Sequence, residues 1–153
     1  MQSIRRRLGF GIWECEREGK IMEGERNEIL NAKIVGTSLT MKDYGCLTFY
    51  VTVEGAGWVV SLGGYCIGKG YLGADEFTAA NGNGLEAMMR IMDVVGVETW
   101  EDLEGKYCRV KSGGWGDPIH EIGNILKDKW FDIGEFFQER KNKFKEENHE
   151  QVG

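Results

Sequence analysis

A chain of 153 residues suits one domain and is long enough to bury a proper core. Its 41% hydrophobic and 29% charged residues exclude a disordered polymer, and no run approaches the ~20 apolar residues of a membrane span. A net charge of −6 argues against long nucleic acid as a partner, since duplex binders need a basic stripe, but leaves room for a small anion held by a few local cations.

Glycine occurs 23 times and proline once, at Pro118. Without a G-x-y period, that glycine supply reads as a hairpin-rich fold or a ligand cradle lined by main chain. The four cysteines, Cys15, Cys46, Cys66 and Cys108, form no C-x-x-C pair, which suggests thiols in a reducing compartment rather than disulfides. After Arg7 the apolar stretch is short and broken by Glu14 and Glu16, unlike a signal sequence. A cytoplasmic protein is expected.

Residues 1–27 are charged and weakly patterned, and read as an arm with Ile12 and Trp13 as packing handles. A single α+β domain is expected over 28–148, with a polar tail at 149–153. Within 28–41, Ile29, Ala32 and Ile34 suggest a first strand. In 46–54, Leu47, Phe49, Val51 and Val53 share one face, and Thr48, Tyr50, Thr52 and Glu54 the other. Gly55-Ala56-Gly57 then turns the chain into a returning strand over 58–67. The passage 63–84, rich in glycine and aromatics, reads as a long structured loop of the kind that is more often functional than not.

A helix is expected over 85–96, with an apolar stripe of Leu85, Met88, Met89, Ile91, Met92 and Val95, Asn83 as its cap and Gly96 after its last turn. Trp100 and Leu103 anchor a short turn. A strand over 106–112, a loop over 113–118 and a further strand or turn around Ile119, Ile122, Ile125 and Leu126 follow. The last helix begins near Asp132, whose spacing to Glu135 fits a capping box, and frays beyond Phe144. The fold class is therefore α+β: an antiparallel sheet of four to six strands with two packed helices.

Catalytic motifs are scarce: there is no G-x-S-x-G, H-E-x-x-H or Walker loop. His149 lies in the polar tail, and His120 stands alone beside Glu121. Neither catalytic residues nor a metal or cofactor are expected. Gly82-Asn83-Gly84-Leu85-Glu86-Ala87 formally matches the dinucleotide fingerprint G-x-G-x-x-A, yet a loop and not a strand precedes it, and a glycine turn before a helix explains it as well. A helix start with little side-chain bulk is still suited to anions. Around it lie groups that a nucleotide-like ligand would use. Tyr65, Tyr71 and Phe77 can stack on a base, Asn81 and Asn83 can bond its edge, and Gly82 opens the turn. Arg90, Arg109 and Lys111, with Lys69, can meet phosphates. The competing reading is that the aromatics fill the core and the cations are solvated surface.

The segments NAKIVGTSLTMKDYGCLTF, GWVVSLGGYCIG, GLEAMMRIMDVVGVETWEDLEGKYCRVK and IGNILKDKWF, in this order over roughly residues 29–137, resemble the first-described family of phage anti-Thoeris sponges. That resemblance implies a homo-oligomeric protein in the host bacterial cytoplasm. It would sequester a cyclic nucleotide immune signal, a cyclic ADP-ribose isomer or in some members a cyclic oligonucleotide, without cleaving it. The alternative is a phage-encoded inhibitor that binds a host defence protein directly; an acidic surface permits that.

Overall fold

The computed structural model describes residues 28–43, 45–69 and 82–152. Six strands, β1 (Glu28–Asp43), β2 (Cys46–Gly55), β3 (Trp58–Lys69), β4 (Tyr107–Ser112), β5 (Glu121–Asn124) and β6 (Trp130–Asp132), form one antiparallel sheet in the order β3-β2-β1-β4-β5-β6. Among the described residues two helices complete the α+β fold: α1 (Asn83–Val95) between β3 and β4, and α2 (Ile133–Val152) after β6. A 3-10 turn at Glu101–Leu103 precedes β4.

The sheet consists of two meanders joined at its centre, where Ile34 N–H donates to Lys106 O at 2.8 Å and Gly105 N–H to Ile34 O at 2.7 Å. Alternation in β2 works as its sequence dictates: Phe49, Val51 and Val53 are fully buried. They meet Ile34 of β1 and Leu62 of β3 on the same face. Cys108 and Val110 of β4, Ile122 of β5 and Phe131 of β6 extend that face. On the polar face Thr48 is nevertheless buried, because its hydroxyl donates to Asp43 Oδ2 at 2.6 Å. Tyr50 OH donates to the same oxygen at 3.1 Å, and this bond first, then burial and the carboxylate charge, pushes the phenol above its ordinary pKa.

Both helices pack on the apolar face. α1 buries Gly84, Ala87, Ile91 and Val94 against the sheet, a narrower stripe than the sequence suggested. Leu85 and Met89, expected in the core, are 62% and 67% exposed. Small residues at 84 and 87 let the helix approach closely, and that rotates the larger side chains outward. Gly96, at φ 93°, closes α1 with its N–H on Met92 O, as expected.

Three further expectations change. The stretch from Gly63 is not loop: β3 continues through Gly63 and Gly64, at φ 112° and 81°, to Lys69, with irregular pairing against β2. β6 was not anticipated, being three residues long. α2 does not stop at Phe144 but reaches Val152, the stretch after Phe144 being rich in Glu, a good helix former. Its start is as expected, with Glu135 N–H donating to Asp132 Oδ1 at 2.8 Å.

The core belongs to one compact unit, Leu30–Lys111 with Ile119–Gly153. Ser112–Pro118 lies outside that unit. It is a turn in which Gly114 N–H donates to Ser112 Oγ and Asp117 N–H to Gly114 O, leaving Trp115 fully exposed. Among the described residues no helix is long and apolar enough to cross a membrane.

Candidate functional site

The amino end of α1 is set by Gly82, which at φ 66° adopts the left-handed conformation that favours glycine, and whose carbonyl accepts from Glu86 N–H at 3.1 Å. Asn83 does not cap the helix, contrary to expectation. It is the first helical residue, 3% exposed, and its Oδ1 accepts from Arg140 Nη1 of α2 at 3.1 Å. Gly84 lies so close to β3 that a side chain there would collide with Ile67, whose Cα would stand 2.7 Å from the new Cβ.

Arg140 joins the two helices. Its Nη2 lies 2.7 Å from Glu86 Oε2, and its guanidinium stands 4.8 Å from the centre of the Phe136 ring. Glu86 Oε2 is buried without an aligned hydrogen bond, so the pair is held by charge rather than by donor geometry. Arg90 approaches the same oxygen at 3.8 Å and sits 5.4 Å from Phe136.

Beside this junction opens a cavity of about 150 Å³ lined by Asn83, Arg140, Lys143, Phe144 and Glu147. Its walls combine a half-buried ring, a buried amide, two cations and a carboxylate. Arg140 is already matched by Glu86, and among the described residues no ion pair holds Lys143 or Glu147.

Of the residues singled out from sequence, the structure brings Gly82, Asn83 and Arg90 to this end of the molecule. Tyr65 is packed inside, stacked on Phe137 with ring centroids 4.5 Å apart, and its phenol is pushed up by burial and then by the Asp132 charge. Arg109 and Lys111 lie on the sheet face opposite the helices. Arg109 donates to Asn124 O at 2.7 Å and Lys127 O at 2.6 Å, Lys111 pairs with Glu121 at 2.7 Å, and both stand over the Trp130 ring. Tyr71, Phe77 and Asn81, with the segment that carries them, lie outside the described residues.

Lys143 and Glu147 were missed because, read as sequence, they belong to a charged helix face, and Arg140 because its spacing sets it on the face of Ile133, Phe136, Phe137 and Phe144. The only signal that could have found them is their spacing of three and four residues around Phe144, which puts them on one side of α2. His120 is exposed, and among the described residues no group of His, Cys, Asp and Glu is placed to hold a metal. The chain matches no family model, no curated protein and no solved structure.

Proposed function

We propose that this protein binds a small nucleotide ligand and holds it without chemical change, in the manner of a sponge for a cyclic nucleotide immune signal. The cavity between α1 and α2 carries the reading: it pairs the Phe144 ring with the polar groups of Asn83, Lys143 and Glu147 at a helix junction fixed by Arg140. A few polar groups that converge at a fixed junction can orient a small polar ligand. At about 150 Å³ the cavity takes one ring system of such a ligand, while the rest, with its phosphates, lies outside it. The resemblance of segments over residues 29–137 to anti-Thoeris sponges supports sequestration as the purpose of binding.

The test is isothermal titration of the full chain with cyclic ADP-ribose isomers and cyclic di- and trinucleotides, followed by chromatography of the recovered ligand. Binding with intact ligand supports the sponge, and a degraded ligand indicates an enzyme.

A second reading rests on Leu85 and Met89, both more than half exposed along α1. Exposed apolar side chains of this size suit a host defence protein as the partner. That reading predicts tight binding to a protein and none to nucleotides.

A further inference from the structure

Resting on the reading of the α1–α2 junction as a nucleotide site, we infer that Arg90 and Arg140 take the phosphate of the ligand, and that Glu86 competes with it for the same two guanidinium groups. Distances gather these three side chains about one atom. Glu86 Oε2 lies 2.7 Å from Arg140 Nη2 and 3.8 Å from Arg90 Nε. Both guanidinium groups also stand against the Phe136 ring, 4.8 Å and 5.4 Å from its centre, and Arg90 lies 5.8 Å from that of Phe131. The two rings are buried and give the cations a fixed wall. Arg140 is held further through Nη1, which donates to Asn83 Oδ1 at 3.1 Å.

Charge and donor geometry both favour an anion here. Two guanidinium groups share one carboxylate, so the three side chains keep a positive charge between them. In the neighbouring cavity Lys143 and Glu147 offset each other and leave that surplus standing. No side chain caps α1, whose first turn carries Glu86, so the N–H groups of that turn add to the positive field. The carboxylate meanwhile uses the donors poorly: Oε2 accepts no aligned hydrogen bond despite its close approach. An arginine carries five N–H donors in a fork that fits phosphate, and a tetrahedral phosphate can turn a different oxygen to each guanidinium. The Arg90 and Arg140 side chains are 51% and 35% exposed, so a phosphate reaches them from solvent. Arg90 is no part of the cavity wall, and the phosphate position therefore lies beside the space assigned to the ring system.

The experiment is isothermal titration of the full chain with cyclic ADP-ribose isomers and cyclic di- and trinucleotides, repeated on Arg90→Gln, Arg90→Lys and Glu86→Gln. Arg90 is half exposed, so its replacement leaves the fold intact, and circular dichroism verifies this for every variant. Arg90→Gln is expected to weaken binding about tenfold, the worth of one charge-assisted hydrogen bond, and to lessen its dependence on salt. Arg90→Lys keeps the charge and should fall between the native chain and Arg90→Gln. Glu86→Gln is expected to strengthen binding several-fold because the competing carboxylate is gone, a sign that a purely structural role would not produce. Should Glu86→Gln fail to fold, the two Arg90 variants decide alone. Native affinity in Arg90→Gln, or weaker binding by folded Glu86→Gln, overturns the inference and leaves the nucleotide reading intact. No binding of any of these nucleotides by the native chain overturns the inference together with that reading.

Discussion

The indole of Trp130 occupies the space that a side chain at Gly123 would need. A Cβ built there would stand 2.5 Å from Trp130 Cε3 and 2.6 Å from Cζ3. The two residues are cross-strand partners on β5 and β6, on the face away from the helices. Over the same ring stand Arg109 at 4.9 Å and Lys111 at 4.7 Å from its centroid. Such contacts are worth about 0.5–1 kcal/mol each at partly exposed sites. They explain why these two cations, plausible phosphate ligands by sequence, instead secure the short third strand of the second meander.

Gly123→Ala should therefore destabilise the protein by about 1–3 kcal/mol, the usual cost of overpacking. Gly36→Ala is the control, since its nearest neighbour would be Glu104 Oε2 at 3.9 Å. Denaturant unfolding should show a lowered midpoint with an unchanged slope for the first variant and little change for the second.

The amino end of α1 gives a sharper case. At Gly84 the obstruction is Ile67, including its backbone Cα at 2.7 Å, so Gly84→Ala should cost about 3 kcal/mol or more, because a strand cannot yield as a side-chain tip does. Gly82 has nothing within 4 Å but sits at φ 66°, so Gly82→Ala should cost about 1 kcal/mol and Gly82→Asn less. The same unfolding curves should rank the three variants, and an equal effect of Ala at both positions would contradict this account.

These residues also show what the sequence could reveal. The β2–β3 hairpin was legible because strict alternation and a Gly-Ala-Gly connection carry their own geometry, and Asp132 because a capping carboxylate acts within four residues of itself. What escaped depends on distant approach. The rotation of α1 was set by Ile67 against Gly84, and the role of Asn83 by an arginine 57 residues away. A local pattern holds no record of either. The cavity is legible only after folding, since its α2 residues are indistinguishable in sequence from a solvated helix face.

Arg140 should couple the helices measurably. Arg140→Ala removes the charge opposite buried Glu86 Oε2 and the donor to Asn83, and should cost about 1–3 kcal/mol. A double-mutant cycle with Asn83→Ala should return a coupling of about 1 kcal/mol. Additive effects would show that the contact contributes nothing. Arg140→Lys should recover only the part owed to charge opposite Glu86, because a single ammonium cannot meet Glu86 and Asn83 together.

Cys108 supplies the pH dependence. It is fully buried on β4, and burial pushes its thiol up to about 12, against an ordinary value near 8.5 in the unfolded chain. The folded state thus holds a proton that the unfolded state releases. Its contribution is fully present below about pH 8.5 and is lost as pH rises towards 12. At pH 9.5 the loss amounts to about 1 kcal/mol relative to neutral pH. Tyr50 and Tyr65, also raised, weaken the fold in the same direction at higher pH, so the thiol's share must be isolated by difference. Urea midpoints of the native chain and of Cys108→Ala, each taken at pH 7.5 and 9.5, provide that difference. The cavity left by alanine is common to both pH values, so the variant should start less stable yet lose less on alkalinisation. Parallel losses in the two proteins would mean that the thiol is ionised as readily in the fold as outside it.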